Sequence, residues 1–355
     1  MAQSGAGAEI TALYESLQAY ACAARQEKGR DLESLFEIKA SNTKSADCDR
    51  TLKECMDQFK GDAGYSYSII ATANKFFKDY QIRSGYTFHR GSQKVEGIYR
   101  EWRKYKTGSG MTGDDKWNPA DIWAIKAGYT QKTNCKNLQE YNDFVLDQYN
   151  AKKLIGISLK KVPKGQVKTK VYNDGNNKIT AKFKEVKPMT DVTASKDVYL
   201  TVTSDGKDFD IQLRNFSSRA VTSSWQGEVK GKSAAGGKIG GGLLVEQAKS
   251  GGVTVTPPNQ FNPNLKPTDT VLRKFATMYK KIAGTTNKEK QTEVIAKTKG
   301  LAAVDPTWWM SKYLSVYYAH EVSTSTNKNK VASKIYSYAS SATENSSVFV
   351  KYYDI

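Results

Sequence analysis

The chain is poor in the nitrogen and sulfur ligands that build most metal and redox centres. It has only two histidines, His89 and His320, and four cysteines, Cys22, Cys48, Cys55 and Cys135, in 355 residues. No two cysteines form a Cys-x-x-Cys pair, so a structural zinc site is not expected and the thiols read as free in a reducing compartment. His89, standing alone, reads as a polar surface or interhelix residue rather than a ligand. Long apolar runs are missing as well, since nothing approaches the roughly 18 residues a membrane helix needs. The opening Met1-Ala2-Gln3-Ser4-Gly5 lacks a basic stretch followed by an apolar one, so no signal peptide is expected. These absences point to a soluble protein of the cytoplasm, bacterial or phage-infected, or to one packaged in a virion. Acidic residues are also scarce: Lys+Arg 54 against Asp+Glu 36 leaves +18. That excess favours an anionic partner, nucleic acid before a membrane surface. The ordinary alternative is a solvated lysine surface.

Hydrophobic residues make up 39% of the chain, enough for a core. Residues 9–27 predict a helix, with Ile10, Leu13, Tyr14, Leu17 and Ala21 on one stripe and Glu15 just beside it. Helices or turns are also expected over 31–38, 47–59, 65–80 and 93–105, with Gly85–Gly91 as a break between the last two. Val167–Tyr172, Ile179–Val186 and Asp197–Thr203 read as hairpin strands beside Asn-Asp-Gly and Ser-Asp-Gly turns, and Phe209–Arg214 as a further strand. Leu243–Lys249 reads as a helix. Prolines 257, 258, 263 and 267 mark 251–267 as a linker, followed by helices over 270–283, 289–299, 306–322 and 328–339 and a last strand near 348–353. The expected layout is a first domain over 1–250 with a helical insertion at about 31–107, the linker 251–267, and a basic helical region over 268–355.

The most informative stretch is Trp117–Lys161. Ala120-Asp121-Ile122-Trp123-Ala124-Ile125 and Leu154-Ile155-Gly156-Ile157-Ser158-Leu159-Lys160 each contain a short apolar run that reads as a buried strand. Between them Leu138, Tyr141, Phe144, Val145 and Tyr149 keep helical spacing. A carboxylate thus sits at one strand and a lysine at the next. Buried charges need a partner or a metal, so the pair suggests either a metal-dependent hydrolytic site or a structural Asp–Lys pair. Asp114 and Asp115 lie just upstream as spare carboxylates or loop polar groups.

The Asp121/Ser158-Leu159-Lys160 arrangement resembles the PD-(D/E)XK nuclease superfamily, of restriction-endonuclease-like fold. The family pattern has an Asp at one strand and an acidic residue, any residue and Lys on the next. Pro119-Ala120-Asp121 departs from it by one inserted residue, and Ser158 stands where Asp or Glu is usual. Some restriction enzymes of the superfamily carry Ser there and draw the carboxylate from elsewhere, as a metal needs an oxygen in space rather than at one sequence position. Glu15 resembles the first-helix glutamate of many members. The resemblance covers residues 9–30 and 115–235. It implies an α/β fold with a mixed central sheet flanked by helices, a helical N-terminal elaboration and a helical C-terminal region. It also implies hydrolysis of DNA phosphodiesters with Mg²⁺, or Mn²⁺, held by Asp121, Glu228 and Glu15, and with Lys160 stabilising charge or orienting water. Glu228-Val229-Lys230 is itself an acidic-x-Lys tripeptide. It stands either as the main motif, with Lys230 as its lysine, or as the source of the displaced carboxylate; the apolar approach to Ser158 favours the second.

Other basic features fit a nucleic-acid partner: Arg103 on the 93–105 helix, Lys161 within the lysine-rich stretch 152–187, and Lys232 and Lys238 in the glycine-rich run. RNA is the alternative to DNA, and the chain could act as a dimer. Lysines also protect strand edges. Gly231-Lys232-Ser233 lacks the opening glycine of a nucleotide-binding loop, because Gln226 stands there. Trp308, Trp309 and the tyrosines at 313, 317, 318, 336 and 338 could stack bases but at helical spacing read as core. A non-catalytic nucleic-acid-binding or virion structural protein with a degenerate nuclease fold is the competing expectation, and Ser158 is the residue that favours it.

Overall fold

The computed structural model describes residues 6–175, 180–217, 224–230, 237–256 and 267–354. In chain order the first elements are α1 (Ala6–Lys28), β1 (Ala46–Cys48), α2 (Leu52–Phe59), α3 (Ala63–Tyr80), β2 (Tyr86–Arg90), α4 (Gln93–Arg103), α5 (Asp114–Trp117), β3 (Ile122–Lys126), α6 (Leu138–Asn150), β4 (Leu154–Leu159) and β5 (Lys168–Tyr172). There follow β6 (Lys182–Val186), β7 (Val198–Ser204), β8 (Lys207–Asn215), β9 (Trp225–Lys230), β10 (Lys238–Gly240), α7 (Gly241–Ser250), α8 (Asp269–Ile282), α9 (Gln291–Val304), α10 (Pro306–Thr324), α11 (Lys328–Ala339) and β11 (Phe349–Tyr353). The chain is α/β with mixed sheets.

The chain divides into two compact units, one made of 1–178 with 344–355, the other of 179–343. This differs from the boundaries expected near 250 and 268. The reason is packing: the strands after 179 and the helices after 268 share one hydrophobic core, so neither half buries its apolar face without the other. Of the expected linker, Val253 and Val255 are buried in that core; 257–266 lies outside the described residues.

The first unit is built on a six-stranded sheet of order β1-β2-β3-β4-β11-β5. β2, β3 and β4 are antiparallel neighbours, β11 lies parallel to β4, and β5 runs antiparallel to β11. One face, with Phe88, Ile122, Ala124, Ile155, Ile157, Val350 and Tyr352, packs under α1 and α3. The other, with Trp123, Ile125 and Leu154, packs with Trp102, Trp117 and Tyr141. The expected break at 85–91 is a strand instead. Tyr86 and Phe88 alternate with polar residues, and Phe88 is fully buried once β2 pairs with β3. The helix expected from 47 begins at Leu52, because the Thr51 side chain caps it and Glu54 completes the box.

The second unit is an antiparallel meander of order β10-β9-β8-β7-β6. Ser204 and Lys207 pair across Asp205 and Gly206, both at positive φ of 50 and 71, as a primed hairpin turn requires. One sheet face, with Val198, Leu200, Val202, Ile211 and Leu213, packs in one core with residues of α8, α10 and α11. Trp308, Trp309, Tyr313, Tyr318, Tyr336 and Tyr338 are buried there, as the core reading expects. Among the described residues no helix is long and apolar enough to cross a membrane.

Candidate functional site

Asp121 sits on the bend that enters β3. Its backbone N–H donates to Ile157 O at 2.9 Å, and its Oδ2 accepts from Leu159 N at 2.5 Å. The carboxylate therefore caps the end of β4. Several contacts hold this bend. Asn118 Nδ2 donates to Ser347 Oγ and Val348 O at 2.7 and 2.9 Å, while its Oδ1 accepts from Ala120 N. The Tyr99 hydroxyl donates to the Asn118 and Ala120 carbonyls. Gly156 makes the approach possible, as a Cβ there would stand 3.0 Å from Ala120 Cβ and 3.2 Å from Asn118 Oδ1.

Glu15 reaches this point from α1 and hydrogen-bonds the Asp121 carboxylate. The two acids share little water. Burial, then the negative charge of Asp121, push Glu15 up to about 8, while Arg90 opposes the shift. Asp121 is also raised by burial. The Leu159 N–H, the Lys160 charge, the Glu15 hydrogen bond and the Ser158 hydroxyl each hold it down. Both acids are thus driven toward the neutral form where they meet. Arg90 braces the outer side of Glu15, donating from Nε and Nη2 to Oε2 at 3.1 and 3.0 Å, and pairs with Asp49 as well.

Lys160, the exposed residue just after β4, acts on Asp121 through its charge. Ser158 is buried on β4, directly across from Lys351 of β11. Lys351 is 2% exposed. Its ammonium is pushed down to about 7, first by burial and then by Lys160; Asp121 pulls it back up and Lys170 pushes it down. Sequence reasoning missed Lys351 and Arg90. Lys351 carried one signal, a lysine at an interior position of an apolar strand. Arg90 carried none, since the strand that presents it was read as a break.

Glu228 and Lys230 lie on β9 of the second unit, where they pair with each other at 2.8 Å. Within the first unit the expected three carboxylates are therefore two. Lys238 begins β10, across from Glu228, with its ammonium 5.5 Å from the Phe216 ring; Lys232 lies outside the described residues. Arg103 is tied to Glu96 and Asp114 at 2.6 and 2.5 Å, which also commits Asp114. Lys161 lies over the Tyr65 ring at 3.4 Å and 3.9 Å from Asp62.

The chain matches no known protein family, no curated protein and no solved structure. The site must be judged on its chemistry. Among the described residues no cluster of three or more His, Cys, Asp or Glu is poised for a metal. Magnesium asks for less, commonly one or two carboxylates with water completing the shell. Two neighbouring carboxyl groups raised by burial fit that demand, because a divalent cation relieves the cost of charging them.

Proposed function

We propose that the protein is a metal-dependent nuclease of the PD-(D/E)XK type that hydrolyses DNA phosphodiesters. One observation carries the reading: Glu15 and Asp121 meet beside Lys160 at the place where β3 begins and β4 ends. The antiparallel β3–β4 pair, the helix above it and the parallel β11 support a restriction-endonuclease-like core.

Asp121 and Glu15 would hold Mg²⁺ or Mn²⁺. The bound metal supplies Lewis acidity at the phosphate and lowers the pKa of a bound water. Asp121 is kept in position by Leu159 N–H and Ser158, and Glu15 by Arg90. Lys160, fixed in sequence one step beyond β4, offers its ammonium to the negative charge that develops on the phosphate. Ser158 adds no charge of its own, so the donor set is lighter by one carboxylate than the family pattern.

Plasmid cleavage in Mg²⁺ by the wild type, Asp121→Ala and Lys160→Ala tests the reading. Metal-dependent cutting that disappears in both variants is expected; cutting that survives in Asp121→Ala rejects it. The second reading is a non-catalytic nucleic-acid-binding or virion structural protein. It is favoured by Ser158 and by the way Arg90 and the Leu159 N–H already satisfy the acids. DNA retardation without cutting is its signature.

A further inference from the structure

A concavity lies at the end of the first sheet far from the acids. Asp121 enters β3 and Lys126 ends it, and the 5 extended residues of that strand span roughly 17 Å. There the loop between α3 and β2, the end of β3 and the turn between α6 and β4 enclose about 490 Å³. Arg83, Ser84, Lys126 and Lys152 line it together with Tyr80 and Tyr86. Among the described residues no aspartate, glutamate or histidine lines it.

The walls of this pocket are held by the fold itself. Tyr86 pairs with Lys126 across β2 and β3, and the Ala127 N–H donates to the Gly85 carbonyl at 2.7 Å. The Tyr86 hydroxyl donates to the Lys152 carbonyl. The Lys152 ammonium donates to Tyr80 O at 2.9 Å, which offsets the negative carbonyl end of α3 and leaves its other donors free. Arg83 and Lys126 are exposed, and among the described residues their side chains have no acid and no acceptor. The Ser84 hydroxyl has no partner among them either. In the same unit Arg50, Arg90 and Arg103 are each tied to carboxylates. Three cations thus converge from three segments without a counter-charge, and a concave wall concentrates their field on one anion.

We propose that this pocket binds a phosphomonoester, its dianion held by Arg83, Lys126 and Lys152 and its organic group in the remaining volume. A guanidinium fork takes two phosphate oxygens at once, and the ammoniums add point charges. A phosphodiester carries a single charge and needs a surface to run along; three cations around one concavity match a terminal phosphate. The volume suits a small ligand. The ligand is a free nucleotide or the phosphorylated end of a nucleic acid, two sources of the same chemistry. The site is independent of the hydrolytic reading above.

The test is isothermal titration calorimetry of the full chain with adenosine 5′-monophosphate, with adenosine, and with a short oligothymidylate carrying or lacking a 5′-phosphate. Wild type is expected to bind the monophosphate about tenfold or more tighter than adenosine. Arg83→Gln with Lys126→Gln loses about tenfold or more. Lys53→Gln with Lys60→Gln, which removes the same charge at α2, stays within about twofold. Affinity for the monophosphate falls between about pH 7 and 5, where phosphate takes up a proton with pKa about 6 and the lining arginine, lysines and tyrosines do not titrate. An oligothymidylate that gains from its 5′-phosphate and binds more tightly than the monophosphate assigns the site to a nucleic-acid end; the opposite order assigns it to a nucleotide. The proposal is overturned by a monophosphate that binds no better than adenosine, by an Arg83→Gln, Lys126→Gln protein that binds it like wild type, by an equal loss in the Lys53→Gln, Lys60→Gln control, or by an affinity indifferent to pH. Circular dichroism of each variant separates lost binding from lost folding.

Discussion

Glu15 and Asp121, more than a hundred positions apart in the chain, present their carboxyl groups to each other, and burial pushes both toward the neutral form. Like charges in a half-buried place are tolerated only with a proton, a cation or strong donors between them. Here Leu159 N–H and Arg90 act as the donors.

Asp121 separates chemistry from folding. Asp121→Asn keeps an acceptor for Leu159 N–H, so its stability stays within about 1 kcal/mol of wild type. Asp121→Ala leaves that N–H without its acceptor and loses about 1–3 kcal/mol. Cleavage falls about 100-fold or more in both. Urea unfolding alongside the plasmid assay checks the contrast.

Lys160 is exposed and outside the strand, so Lys160→Ala leaves stability within about 0.5 kcal/mol. The cleavage rate under saturating DNA drops about 100-fold. A loss seen only as weaker DNA binding at unchanged saturated rate contradicts the role given to this lysine.

Glu15 ties stability to pH. Its proton is held up to about 8 in the folded chain, against 4.5 for the free group. Between these values the folded protein binds more protons than the unfolded one, so stability falls as pH rises. The contribution is present in full below the unfolded value and lost as pH passes through about 8. Glu15→Gln is expected to flatten the decline in melting temperature between pH 5 and 8. Mg²⁺ should raise the wild-type melting temperature by a few degrees at pH 8, less at pH 5, and little in Glu15→Gln.

Glu228 is paired with Lys230 on β9. Glu228→Gln is expected to leave Mg²⁺-dependent cleavage within about twofold of wild type. A loss comparable to that of Asp121→Asn restores the third carboxylate to the site.

Local pattern made much of the first sheet readable. The apolar runs around Asp121 and Ser158 are strands, they are antiparallel neighbours, and the helix between them lies where its periodicity predicts. Of the stripe beside Glu15, Leu13, Tyr14, Leu17 and Ala21 are buried and Ile10, a turn earlier, is exposed. Short strands were harder. β1 has three residues, and β2 owes its burial to partners far along the chain. The expected boundaries differ from the two compact units because a proline-rich stretch looks like a linker whether or not the segments on either side share a core.

By itself, the order of residues determined the acid and the lysine on neighbouring strands, the helix that carries the second acid, and the basic excess. Only the tertiary structure decided that the final strand returns to lie beside β4, bringing Lys351 across from Ser158 and Tyr353 level with Lys160. The same structure put Glu228 in the other compact unit. The physical reason is that periodicity reports which face of a segment is buried, not against which partner. Pairing between distant strands is set by the global burial of apolar surface, to which a local window is blind.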